Sequence, residues 1–70
     1  MKIYISGKIT GTNDYMERFS NKQRELEKRG DEVINPALIN SFLPKSTTWK
    51  EYMSLCYPMI DKCDAIYFLD

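Results

Sequence analysis

MKIYISGKITG, residues 1–11, decides how the rest of the chain is read. Lys2 to Ser6 is an almost unbroken run of β-branched and aromatic residues. Such a run suits a strand covered on both faces, as in a parallel sheet. The loop that follows holds Ser6, Gly7, Lys8, Ile9, Thr10 and Gly11, and Asn13-Asp14 opens a helix behind it. A strand–glycine loop–helix junction lies at the carboxyl end of an α/β sheet, where phosphates and sugars bind. The chain therefore begins with half of a nucleotide site.

Working outward, the first helix is predicted from Asp14 to Arg29. Asn13 or Asp14 is its cap, Gly30 stands where a C′ glycine belongs, and Tyr15, Met16, Phe19 and Leu26 form its buried face. A second strand, Glu32 to Asn35, is stopped by Pro36, and Ala37 to Phe42 can form one or two helical turns. Leu43 to Ser46 reads as a loop. Thr48-Trp49-Lys50-Glu51 has the spacing of a capping box. After it, Trp49, Tyr52, Met53, Cys56, Tyr57 and Ile60 make an amphipathic stripe. Pro58 removes a backbone donor and clashes with the carbonyl of Ser54, at roughly 3 kcal/mol, so a kink or break is expected there. Ala65 to Leu69, apolar on both faces, is the third strand. With right-handed crossovers the fold is α/β, a minimal parallel sheet of three strands in the order 2-1-3 with helices. It is a Rossmann-like or flavodoxin-like half in one domain, residues 1–70, cut short after the third strand. That strand is an uncovered edge, and a homodimer or higher homo-oligomer that buries it is expected.

Composition excludes several function classes. The chain has 70 residues, ten basic and ten acidic side chains, and no histidine. A chain this short buries only about 60–65% of its unfolded surface, which favours self-association. No basic block points to nucleic acid. No apolar run approaches the roughly 20 residues that cross a bilayer. Without histidine or a CxxC spacing no metal site is expected, and no cofactor. Cys56 and Cys63 read as buried small hydrophobes rather than a disulfide or a nucleophile. A cytoplasmic protein is expected.

Four blocks, MKIYISG-ITG, EVINPA, TW-x-x-YM and CDAIYFL, together resemble a family of small phage and bacterial proteins of unknown function. The fold of that family is similar to the nucleoside 2-deoxyribosyltransferases. The resemblance covers nearly the whole chain. It implies that Ser6, Gly7, Ile9, Thr10 and Gly11 lie where relatives contact a nucleoside or sugar. Lys8 stands where relatives often carry proline. The relatives continue past the third strand with a Gly-Trp-rich loop and a helix, a region that holds a catalytic glutamate in the transferases; here nothing follows Asp70. A helix position that is acidic in many relatives is Cys56 here. No catalytic residue is carried over.

The candidate ligand-binding residues are Ser6, Gly7, Lys8, Ile9, Thr10, Gly11, Asn35, Trp49, Met53, Tyr57 and Asp70. Gly7 and Gly11 can also be turn residues that supply permissive dihedrals and nothing more. Asn35-Pro36 can be a plain strand terminator; with a ligand present, Asn35 would face it across the crevice. Trp49, Met53 and Tyr57 are core by default. Yet the stripe is wider than three strands cover, leaving some of it for a pocket or dimer seam and for stacking on a purine. Asp61, Asp64 and Asp70 cluster late in the chain, with Asp70 in reach of a ribose hydroxyl, but nothing in their spacing aims two carboxylates at one point. The expected function is non-catalytic binding of a nucleotide or ADP-ribose-like molecule. In a phage, acting in the host cytoplasm, that means sequestering a host nucleotide signal. The alternatives are an enzyme acting on N-glycosidic bonds and a structural module completed by another chain.

Overall fold

The computed structural model describes residues 1–9 and 14–69. The elements run β1 (Lys2–Ser6), α1 (Tyr15–Lys28), β2 (Glu32–Ile34), α2 (Pro36–Phe42), α3 (Trp49–Asp61) and β3 (Ala65–Phe68). The strands form one parallel sheet in the order β2-β1-β3, the topology the alternation of strand and helix signals predicts.

Pleating divides β1 between two layers. Ile3 and Ile5 point to one face, where with Phe19 and Leu26 of α1 and Ala37 of α2 they form the core. Val33, Ala65, Tyr67 and Leu69 pack around that cluster. Tyr4 points to the other face, where Tyr52 and Cys56 of α3 come up against it. The register sets Ile66 beside Tyr4 and Phe68 beside Ser6 on that same face.

Helix ends explain where the elements stop. α1 closes in a Schellman turn: Gly30 N–H bonds Glu27 O at 3.0 Å and Asp31 N–H bonds Leu26 O at 3.2 Å, with Gly30 at φ +91°. At its start Asp14 occupies the N-cap position without a side-chain capping bond; Asn13, the other cap candidate, lies outside the described residues. Asn35 starts α2, and its Oδ1 accepts the Ala37 N–H at 3.0 Å. The capping box of α3 is present in both halves: Thr48 Oγ1 accepts from Glu51 N at 3.1 Å, and Glu51 Oε1 accepts from Thr48 N at 3.0 Å.

Two expectations are narrowed. Pro58 does not break α3, which runs through it to Asp61. Pro58 and Ser54 are both exposed, so the Ser54 carbonyl left without a partner can turn to water, and one lost bond does not end the helix. The apolar stripe of α3 is also narrower in space than in sequence: Cys56 is buried, Tyr52, Met53 and Ile60 are half-buried, and Trp49 and Tyr57 are exposed. Likewise β3, apolar on both faces, is covered on one only.

Both cysteines are free thiols, Cys56 buried and Cys63 partly so, and burial pushes the Cys63 thiol up. Among the described residues no helix is long and apolar enough to cross a membrane, and no group of three or more His, Cys, Asp or Glu side chains could hold a metal ion.

Candidate functional site

At the carboxyl end of β1 a cavity of about 380 Å³ opens between the first loop and α3. Four segments build it. Tyr4, Ile5 and Ser6 of β1 form its floor, and Gly7, Lys8 and Ile9 turn over one side. Pro36 and Asn40 of α2 with Thr47 and Thr48 close another side, and Trp49, Tyr52, Met53 and Ile60 of α3 supply the remaining wall.

Gly7 is placed by space rather than by dihedral angle. Its φ is not positive. A Cβ there would stand 2.9 Å from Leu69 Cδ1 and 3.1 Å from Phe19 Cζ, closer than packed carbons tolerate. An added methyl would make Leu69 and Phe19 shift, so a residue without a side chain lets the loop rest directly on the core beneath it. The loop is thus seated on Phe19, the same ring that anchors α1, and this ties the cavity wall to the most tightly packed part of the molecule.

The polar chemistry of the lining is one-sided. It carries hydroxyls on Tyr4, Ser6, Thr47, Thr48 and Tyr52, the amide of Asn40, and the cation of Lys8. The Asn40 amide donates to the Tyr15 hydroxyl at 3.4 Å. No Asp or Glu lines it among the described residues. Glu51, one turn into α3, has its carboxylate tied back to Thr48, and those bonds hold it below the usual carboxylate range. At the floor, burial and the neighbouring Cys56 thiol push the Tyr4 and Tyr52 hydroxyls well above the ordinary phenol range. Both stay protonated at neutral pH, with their hydroxyls turned to Cys56 and to one another at the cavity floor.

Of the residues read as candidates from sequence, Ser6, Gly7, Lys8, Ile9, Trp49 and Met53 meet at this cavity. Trp49 does so while 66% exposed. Thr10, Gly11 and Asp70 lie outside the described residues. Asn35 does not line the cavity: it is 6% exposed, capping α2 through Oδ1 and donating from Nδ2 to Gln23 Oε1 at 2.9 Å. Both ends of its amide serve the fold, and the Asn-Pro pair is an N-cap followed by proline at N1. Tyr57 is 55% exposed and absent from the lining.

Neither Asp64 nor Asp61 lines the cavity, although Ile60, the residue before Asp61, does. Asp64 Oδ2 accepts the Lys2 N–H at 2.8 Å, at the amino end of β1, and Asp61 closes the far end of α3. Among the polar lining residues, the sequence reading missed Tyr4, Asn40, Thr47, Thr48 and Tyr52. Tyr4 was hidden in an apolar strand and Thr48 in a capping motif. The alternation of β1 carried the one usable signal, since it puts Tyr4 and Ser6 on a single face.

Residues 1–70 match the model of one protein family, described as a domain of unknown function, DUF4406. The chain belongs to the DUF4406 family. No curated protein and no solved structure matches it. The match spans the DUF4406 chain from β1 to β3, so cavity and sheet both lie inside the family domain.

Proposed function

We propose that this DUF4406 protein binds a nucleotide or an ADP-ribose-like molecule at the carboxyl end of β1 and holds it without cleaving it. The observation that carries this reading is the composition of the cavity. A cation on the loop suits a phosphate, phenol and threonine hydroxyls suit a sugar, and Trp49 with Met53 suits a flat base. Cleavage of an N-glycosidic bond calls for an acid or base aimed at the reacting atoms, and no carboxylate lines the cavity among the described residues. The volume lies within the range of small-molecule sites. The resemblance to phage proteins with a nucleoside 2-deoxyribosyltransferase-like fold supports the same ligand class. It extends the reading to a phage protein that sequesters a host nucleotide signal.

Mass spectrometry of small molecules released on denaturing the purified protein tests the proposal. An intact nucleotide in the denatured fraction, and a thermal shift with ADP-ribose or a mononucleotide, are the expected results. Free base and sugar accumulating from any nucleoside or nucleotide would replace it with the enzyme reading. A flat thermal response across the panel would end both.

A further inference from the structure

The polar groups at the inner end of the cavity form a chain across four elements. Asn40 of α2 donates from Nδ2 to the Tyr15 hydroxyl of α1 at 3.4 Å. Tyr15 neighbours Tyr52 of α3, and Tyr52 meets both Tyr4 of β1 and the Cys56 thiol. Tyr4 and Cys56 are 4% and 0% exposed, so the chain is rooted out of bulk water. Its hydrogens can be followed one by one. Tyr4, Tyr52 and Cys56 carry one each, and the contacts of each with the other two take them up. What the two phenols keep at the cavity they line is oxygen lone pairs. Asn40 is in the same condition. Its nitrogen is engaged by Tyr15, and among the described residues its Oδ1 accepts no hydrogen bond. An occupant that brings N–H groups satisfies these acceptors. One that brings a carbonyl oxygen sets lone pair against lone pair.

We infer that this end of the cavity selects a nucleobase carrying an exocyclic amine, as adenine and cytosine do, over one with a carbonyl in that place, and that Asn40 is the residue that reads it. The inference rests on the nucleotide reading above and narrows it. An amine offers two hydrogens, one for Asn40 Oδ1 and one for a phenol oxygen. The second Nδ2 hydrogen of Asn40 then suits the acceptor nitrogen of the ring beside the amine, the pairing by which asparagine recognises adenine. Tyr52 lies between Trp49 and Met53 along α3. Amine recognition and base stacking thus fall on one stretch of wall, and Thr47 and Thr48 are left for the sugar. An alkylammonium group would also donate hydrogens. Lys8, the single charged side chain of the lining among the described residues, opposes a cation.

Calorimetric titration of the unmodified chain with adenosine and inosine monophosphates, and with cytidine and uridine monophosphates, tests the inference. Each pair differs in whether the base carries an amine or a carbonyl, while sugar and phosphate stay the same. The amine member of whichever pair binds should bind roughly ten- to hundredfold more tightly. Asn40→Leu should bring the amine member down to the level of the carbonyl member and leave the latter little changed. Equal affinities within a pair, or the reverse preference, overturn the inference and leave the nucleotide reading standing. A full preference retained by Asn40→Leu overturns the assignment to Asn40. No binding of any of the four ends both readings. Should Asn40→Leu fail to fold, the paired titrations of the unmodified chain decide alone.

Discussion

On one face of the sheet Ile3 and Ile5 close against Phe19, Leu26 and Ala37. On the other, Tyr4 is buried beneath Tyr52 and Cys56 while Trp49, Tyr57, Ile66 and Phe68 stay in contact with solvent. Both layers draw on alternate residues of the same short strand, so composition alone does not separate them. The α1 layer is filled by side chains of fitting volume, and it holds the fold. The α3 layer is buried along a narrow line and leaves a cavity at one end and an uncovered strand at the other. The closely packed core thus lies on one side of the sheet and the sparsely covered layer on the other, with the cavity at the carboxyl end of β1, where Gly7 sets the first loop against Phe19.

That contrast can be broken most directly at Phe19. Phe19→Ala empties the centre of the α1 layer and should cost ~3–5 kcal/mol, enough to unfold much of a domain of ordinary stability. Urea denaturation would show it, and a loss under ~1 kcal/mol would mean that this layer is not the anchor.

Alkaline pH attacks the other face. Tyr4 and Tyr52 have folded pKa values raised above that of an exposed phenol, first by burial and then by Cys56. Their contribution is fully present below the unfolded value of about 10 and is lost as pH climbs beyond it. Two phenolates should therefore appear in the ultraviolet only as the circular dichroism collapses. Titration of every tyrosine with the native spectrum intact would remove the neutral pair from the cavity floor.

Gly7→Ala tests the junction between the layers. Its added methyl meets Leu69 and Phe19, and overpacking of this kind costs ~1–3 kcal/mol. Any ligand affinity should fall with it. An unchanged unfolding midpoint would show that the loop gives way freely.

Thr48→Ala removes the capping bond to Glu51 and should cost ~1 kcal/mol, measured by the same denaturation. The smallest stability change is expected at Trp49, which is exposed: Trp49→Ala should stay within ~0.5 kcal/mol. If the indole stacks on a base, ligand affinity should nevertheless drop by about 1–3 kcal/mol, read by calorimetry. Equal binding by this variant would move the base subsite elsewhere.

Much of the architecture is legible in local chemistry. The apolar run at 2–6, the Gly30 turn, the Thr48–Glu51 box and the alternating strand and helix signals each specify an element, because they act within a few residues of one another. The order 2-1-3 follows from crossover handedness. The candidate site was legible in part. Ser6, Gly7, Lys8 and Ile9 are fixed by the end of β1, and Trp49 and Met53 by helical spacing. Asn35 misled because its amide serves either a ligand or a helix start, and sequence does not say which. At Pro58 the sequence leaves a kink or a break open, and the continuous helix excludes the break, because the cost of a proline depends on whether the freed carbonyl can reach water.

By itself, then, the amino-acid order determined the elements, their sequence and the loop at residues 6–9. Hydrogen bonding and side-chain period are local properties and are written locally. Only the tertiary structure decided which faces are filled. It set Tyr4 and Tyr52 together over Cys56, left the cavity lining without a carboxylate among the described residues, and exposed Ile66 and Phe68. Those outcomes depend on how closely α1 and α3 approach the sheet. That distance is set by packing volumes summed over residues far apart in the chain.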